Sequence, residues 1–185
     1  MPKPHYIYCL ESVDDTEASS NSAILESLQQ LAFYYGVTNV YKTCDSIEGF
    51  EESLGTLLYE DRNFKQYAII CLAVHGKGNE IQINQYFYSL EEIAEFFQGR
   101  LTGKIIHFAN TFPLDLKEET FQYFLDVTGA KAISGYRNPV PVLSSTLDNL
   151  YISLSQDYDN VIELVEVLHE KQYGLCKALG FQMYY

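Results

Sequence analysis

Residues 67–83, "YAIICLAVHGKGNEIQI", carry the strongest strand signal in the chain. The first eight of them are almost continuously apolar, which is typical of a strand that helices cover on both faces of a parallel sheet. His75-Gly76 follows directly, and the chain then alternates between polar and apolar residues over 80–88, as in an exposed hairpin. The pattern therefore predicts a buried strand over 67–74 that carries a histidine at its carboxyl end.

Strand and helix patterns alternate on both sides of this stretch. The alternation predicts an α/β fold, a three-layer α/β/α sandwich with a mostly parallel central sheet. No repeat or linker interrupts it, so we expect a single domain over residues 1–185. The other predicted strands are 5–10, 37–41, 103–109, 130–136 and 180–185, and the predicted helices are 22–35, 45–57, 89–97, 115–128, 145–156 and 160–172.

Two of the predicted helices begin at a pattern that resembles a capping box. Asp45 and Glu48 form a D-x-x-E start, and Ser89 and Glu92 form an S-x-x-E start. In a capping box the side chains of the first and fourth residues accept from each other's backbone N–H groups. We expect Gly129 to end the helix predicted over 115–128.

The charge balance excludes one large class of partners. The chain has 25 Asp and Glu against 12 Lys and Arg, for a formal net charge of −13. Nucleic-acid affinity comes mainly from basic side chains, so we expect no nucleic-acid partner. No stretch approaches the roughly 18 apolar residues of a membrane span, and the apolar run near the N-terminus is too short for a signal peptide. We therefore expect a cytoplasmic protein that does not bind a membrane.

The cysteines and the glycines after His75 give no metal or cofactor signal. The four cysteines are scattered and form no C-x-x-C pair, so we expect free, buried thiols with neither a disulfide nor a zinc site. The pair Gly76 and Gly78 follows a strand but leads into a hairpin instead of a helix N-terminus, which argues against nucleotide binding. We expect no cofactor and no metal. The cysteines are Cys9, Cys44, Cys71 and Cys176.

Several segments together resemble the caspase-like peptidases, and most closely the CHAT-like proteins of bacteria and a related bacterial family of unknown function. The resemblance covers nearly the whole chain and includes the order of its elements, so it implies a caspase-like fold for the single domain. The segments are "YCLES" (8–12), "AIICLAVHGKGNEIQI" (68–83), "SLEEIAEFF" (89–97), "KIIHFANTFPL" (104–114) and "TGAKAISGY" (128–136).

The resemblance also implies where a catalytic site would lie. In that fold a His-Gly pair ends the third core strand and a cysteine ends the neighbouring fourth strand, so that the imidazole can help to ionise the thiol. His75 and Gly76 fall on the histidine and glycine positions. Where the family shows a pattern like "HFGSCSTL", this sequence reads "HFANTFPL" over 107–114, which puts Thr111 at the nucleophile position. An internal threonine lacks the free N-terminal amine that threonine nucleophiles generally use as a base.

Other departures cluster around Thr111. Asn110 and Phe112 replace small neighbours, and Pro141 stands where the family often carries an aspartate. With Tyr136 they make up the predicted cleft. The resemblance therefore implies a degenerate dyad and a pseudo-peptidase whose surviving cleft or exposed edge binds a protein or peptide as a regulatory module. It also allows a homodimer that pairs through the last strand of the sheet.

Two alternatives stay open. The chain could be an active cysteine peptidase that uses a non-standard thiol, or a purely structural, self-associating domain. Cys71 lies about 13 Å along its strand from His75, which is too far for a dyad. Cys9 lies near the carboxyl end of the first strand, which should neighbour the third, but a buried core thiol explains it better. His107, inside the fourth strand, is expected to be a hydrogen-bonded core histidine.

Overall fold

The computed structural model describes residues 6–13, 23–109, 113–138 and 141–185, which form an α/β fold. Its strands are β1 (Tyr6–Ser12), β2 (Thr38–Cys44), β3 (Tyr67–Ala73), β4 (His75–Lys77), β5 (Glu80–Ile83), β6 (Tyr86–Ser89), β7 (Ile105–Phe108), β8 (Ala132–Tyr136) and β9 (Phe181–Tyr184). Its α-helices are α1 (Ala23–Tyr35), α2 (Ile47–Gly55), α3 (Leu90–Phe96), α4 (Glu118–Thr128), α5 (Pro141–Ser155) and α6 (Val161–Leu179).

Six of the strands form one main sheet in the order β2-β1-β3-β7-β8-β9. The first five are parallel to one another, and β9 is antiparallel to β8 at the edge. The predictions of a mostly parallel sheet, of the first strand beside the third, and of a last edge strand are confirmed. The remaining strands, β4, β5 and β6, form a separate antiparallel sheet.

Helices cover both faces of the main sheet and give two hydrophobic cores. One core receives α2, α3 and α4 through residues such as Phe50, Ile93 and Phe124. The other receives α1, α5 and α6 through residues such as Leu31 and Leu168. This is the predicted three-layer arrangement.

Strand β3 shows why its sequence is apolar throughout. Ile70 and Leu72 belong to the core beneath α2–α4, while Ile69, Cys71 and Ala73 belong to the core beneath α1, α5 and α6. A strand buried on both faces cannot alternate between polar and apolar residues. The prediction that helices cover both faces of this strand is confirmed.

The helix ends follow local chemistry that the sequence shows only in part. The capping box of Ser89 and Glu92 is present, and Gly129 ends α4 in the left-handed conformation, with φ of 75°. The predicted start of α2 at Asp45 is wrong, because the N-cap is Ser46, whose hydroxyl accepts from the Gly49 N–H at 3.1 Å. Beyond its end α2 runs on into a π-helical turn over Thr56–Glu60.

Two helices are longer than predicted. α5 begins at Pro141 and not near residue 145, since proline suits the first turn of a helix, where its missing N–H would have no partner. α6 extends to Leu179 although Gln172, the predicted end, is non-helical, with φ of −140° and ψ of 47°. The helix therefore continues through a kink at the predicted stop.

The described ranges contain neither a membrane-spanning helix nor a metal-binding cluster. No helix among them combines the length and the apolar character that crossing a bilayer requires. Within the same residues, no group of three or more His, Cys, Asp or Glu side chains is arranged to hold a metal ion.

Candidate functional site

The carboxyl ends of strands β3 and β7 lie side by side at one end of the main sheet. The strands pair in parallel with Leu72 opposite Phe108, and the Ala109 N–H donates to the Leu72 carbonyl at 3.0 Å. Ligands of open α/β sheets bind beyond the carboxyl ends of the strands. This end of the sheet is therefore the first candidate for a functional site.

His75 follows the end of β3 and begins β4. It stands opposite Gln82 of β5, which stands opposite Phe87 of β6. Directly opposed residues share one face of an antiparallel sheet, so the three side chains form one row. His75 is exposed and Phe87 is 59% exposed. The row is therefore part of the molecular surface.

The turn after His75 is tied to the segment that follows β7. Gly76 has φ of 141°, a backbone conformation that residues other than glycine rarely adopt. The Gly78 N–H donates to the Pro113 carbonyl at 3.2 Å. The small antiparallel sheet is thereby held against the chain that leaves the tip of β7.

Three of the predicted site residues lie outside the described residues: Asn110, Thr111 and Phe112. The chain on either side of them is anchored. Ala109 bonds to the end of β3, and Pro113 accepts from Gly78 and forms a β-bridge with Tyr136. The two anchors lie at the tips of β3 and β8, which flank β7 in the main sheet.

Tyr136 does not line an open cleft, so this part of the predicted site is wrong. Its side chain is fully buried in the core beneath α5 and α6. Its ring packs against Phe181, with centroids 5.8 Å apart, and its hydroxyl donates to Asp148. Strand alternation explains this, because Tyr136 points to the same face of β8 as Ser134. Pro141, which was also predicted to belong to the cleft, is the first residue of α5.

A buried hydrogen-bond network lies next to Tyr136. His107 is fully buried, and its Nε2 lies 2.8 Å from Oδ1 of Asp148, while its Nδ1 lies 2.9 Å from the Ser134 hydroxyl. The Ser134 hydroxyl in turn lies 2.9 Å from the Tyr151 hydroxyl. The prediction that His107 is a hydrogen-bonded core histidine is confirmed.

One arrangement of protons uses every polar group of this network. Tyr151 donates to Ser134, Ser134 donates to Nδ1 of His107, and Nε2–H of His107 donates to Asp148, which also accepts from Tyr136. Burial raises the pKa of Tyr136 and of Tyr151, so both hydroxyls keep the protons that they donate. Buried polar groups are costly unless all of them are paired.

The Ser-His-Asp order of this network does not make it a hydrolytic site. Ser134 is fully buried within β8, so no substrate carbonyl reaches its hydroxyl. The cavity beside His107 and Asp148 has a volume of about 20 Å³, which holds about one water molecule. The network instead fastens α5 to the sheet.

Two thiols lie in the same lateral row as His107. Cys9 is opposite Cys71, and Cys71 is opposite His107. The hydrogen bond with Cys9, followed by burial, raises the pKa of Cys71, so its thiol stays protonated and is a poor nucleophile. Both nitrogens of His107 already have partners. The prediction of free, buried thiols is confirmed for all four cysteines: Cys9, Cys44, Cys71 and Cys176.

The amino-acid sequence matches the model of a protein family. A family model described as "Family of unknown function (DUF6642)" matches residues 4–185. The chain belongs to this family. No curated protein matches it.

Sequence reasoning missed Asp148 and Tyr151, which complete the buried network. Part of the signal is visible, because His107 and Ser134 are polar residues at alternate positions of strands that are otherwise apolar. Polar groups on a buried face need partners. The helix that supplies them is α5, and nothing in its local sequence identifies Asp148 as the acceptor.

We expect the network to contribute strongly to stability. Asp148→Ala leaves Nε2–H of His107 and the hydroxyl of Tyr136 without their acceptor, and should lower the free energy of unfolding by about 3 kcal/mol. Urea denaturation followed by circular dichroism measures the loss. Asp157→Ala, which removes an exposed carboxylate near the end of α5, is the matched control. Equal unfolding midpoints for the two variants would show that the network does not stabilise the fold.

Proposed function

We propose that this chain is a caspase-like domain that has lost peptidase chemistry and binds a protein or peptide through the surface around His75. The proposal joins three features: the position of the strand tips, the absence of a thiol at the nucleophile position, and an exposed phenylalanine in the same row as the histidine. Each supports a separate part of it.

The order of strands supports the caspase-like part. In chain order β3 and β7 are the third and fourth strands of the main sheet, and they are neighbours, as the resemblance requires. His75-Gly76 follows the first of them. Only three residues, 110–112, connect the anchor at Ala109 to the anchor at Pro113. A connection this short keeps Thr111 within about 7 Å of either anchor along the chain.

The chemistry of the available groups supports the loss of catalysis. Thr111 carries a hydroxyl where relatives by resemblance carry a thiol, and a hydroxyl is a far weaker acid. Cys9 and Cys71 are buried, and Cys71 is hydrogen-bonded to Cys9. His75 projects with Gln82 and Phe87 on the surface of the small sheet. Neither of these two thiols is exposed to a peptide substrate.

The observation that carries the binding role is the exposure of Phe87, which shares one face of the small sheet with His75 and Gln82. Phe87 is 59% exposed, whereas Tyr86, its neighbour on β6, points to the opposite face together with its partner Ile83. Interfaces favour aromatic residues, whose burial by a partner is a large part of the binding energy. The partner we infer is a protein segment that places an apolar side chain on Phe87 and a hydrogen-bond acceptor near His75 or Gln82.

Phe87→Ala should weaken binding of the partner at least about 10-fold, because truncating a central aromatic residue commonly costs more than 1 kcal/mol. Partners are captured with the tagged chain, identified by mass spectrometry, purified, and measured by titration calorimetry. Phe33→Ala is the matched control, since Phe33 is 83% exposed and lies on α1. Equal affinity of both variants for every purified partner would place the binding surface elsewhere or remove it.

The unmodified chain should remain unlabelled by a peptidyl electrophile that alkylates active-site thiols. The physical reason is that an electrophile of this kind needs an accessible thiolate beside a base. Intact-mass spectrometry of the native protein measures the labelling. His75→Ala is the comparison: labelling of one cysteine that disappears in this variant would establish an active cysteine peptidase and overturn the proposal.

A further inference from the structure

A concave region lies at the amino ends of β3, β7 and β8, at the opposite end of the main sheet from His75. It is a cavity of about 330 Å³ between the 3₁₀ turn at Phe64–Gln66 and the connection between α5 and α6. Cavities of roughly 300–1,000 Å³ accommodate small molecules. The residues that line it include Lys65, Thr102, Lys104, Lys131, Tyr158 and Asp159.

Lys104 is the unusual member of this set, because it is only 7% exposed. Its Nζ donates to the carbonyls of Phe64 and Tyr67 at 2.8 and 2.6 Å and lies 4.8 Å from the centre of the Phe64 ring. Burial lowers the pKa of Lys104. Within the described ranges, no carboxylate lies within 4.0 Å of this nitrogen. Its charge is thus balanced by carbonyl dipoles and an aromatic face, with no counter-anion in contact.

Two further lysines face the same cavity. Lys131 is beside Lys104, since its N–H donates to the Lys104 carbonyl at 2.9 Å at the start of the neighbouring strand. The Nζ of Lys131 donates to the Asp159 carbonyl at 3.3 Å, and Lys65 extends from the 3₁₀ turn on the other side. Lysines from three separate segments therefore line the cavity, while the Lys104 ammonium itself binds the Phe64 and Tyr67 carbonyls.

The charge of this cavity is opposite to that of the chain. Among its lining residues three are lysines and one, Asp159, is a carboxylate, whereas the whole chain has 25 acidic and 12 basic residues. A basic, partly enclosed cavity in an acidic protein attracts small anions from solution. The acidic surface around it repels larger polyanions.

We propose that this cavity binds a small phosphate-bearing molecule. The ammonium groups of Lys65 and Lys131, on two separate segments that line the cavity, match a group that carries two or more negative charges on one centre, as a phosphate does, and lysine is a common phosphate ligand. The Thr102 hydroxyl can donate to the same oxygens, and the ring of Tyr158 supplies an apolar wall for the body of the molecule. The volume limits the ligand to a small metabolite.

This proposal is independent of the function proposed above. The cavity is formed by the amino ends of β3, β7 and β8, whereas His75 lies beyond the carboxyl end of β3. Failure of one proposal therefore leaves the other unaffected.

The test is titration calorimetry of the full chain with three probes: inorganic phosphate, pyrophosphate and citrate. We expect saturable binding of phosphate or pyrophosphate, weaker binding of citrate, and loss of affinity as sodium chloride is raised, since salt screens ionic attraction. The variant Lys65→Gln/Lys131→Gln should weaken pyrophosphate binding at least about 10-fold, while Lys42→Gln, which alters an exposed lysine on β2, should leave it unchanged.

The variants avoid Lys104, whose loss would expose two buried carbonyls to an empty space and endanger folding. Amide chemical shifts in a pyrophosphate titration locate the site, and we expect the largest changes at Ala68, Gly103 and Ile105, which line the cavity. Absence of saturable phosphate or pyrophosphate binding would overturn the proposal. So would equal weakening by Lys42→Gln, or binding of citrate in preference to both phosphates.

Discussion

The parallel pairing of β3 with β7 is the constraint on which the rest of the structure depends. With Leu72 opposite Phe108, the tips of the two strands reach the same edge of the sheet. The same register sets Cys71 opposite His107 and, through β8, His107 opposite Ser134. A slip of one residue would turn these polar side chains to the other face. One register therefore determines both the candidate surface at the strand tips and the buried network beneath α5.

The two ends of this sheet differ in chemistry. At the carboxyl end, the exposed row of His75, Gln82 and Phe87 is the surface for which we propose a protein partner. At the amino end, three lysines are among the residues that line a cavity of about 330 Å³. Between these ends the sheet is covered by two apolar cores, which separate the two regions.

Much of the fold could be predicted from the sequence because each element carries its own local signal. The unbroken apolar run of β3, the capping box at Ser89 and the stop at Gly129 need no distant partner to be read. Elements that depend on tertiary contacts were missed. β4 is a three-residue strand with a glycine at its centre and exists only because it pairs with β5. The π-helical turn after α2 and the continuation of α6 beyond Gln172 likewise have no local signature.

The candidate site was less predictable than the fold. The position of His75 after β3 follows from the strand pattern, but its presence on an exposed face follows from its pairing with Gln82. Tyr136 ends β8, but alternation along the strand turns its side chain into the core beside Ser134. A position at the end of a strand does not reveal which face the side chain takes.

The proposed degenerate dyad requires positions 75 and 111 to be close enough for a short cross-linker to join them. The most direct measurement is chemical cross-linking of His75→Cys/Thr111→Cys with a short bis-methanethiosulfonate, followed by peptide mass spectrometry. We expect an intramolecular cross-link between positions 75 and 111, and none when His75→Cys is combined with Phe33→Cys on α1. Modification of both positions by separate reagent molecules, with no link between them, would contradict it.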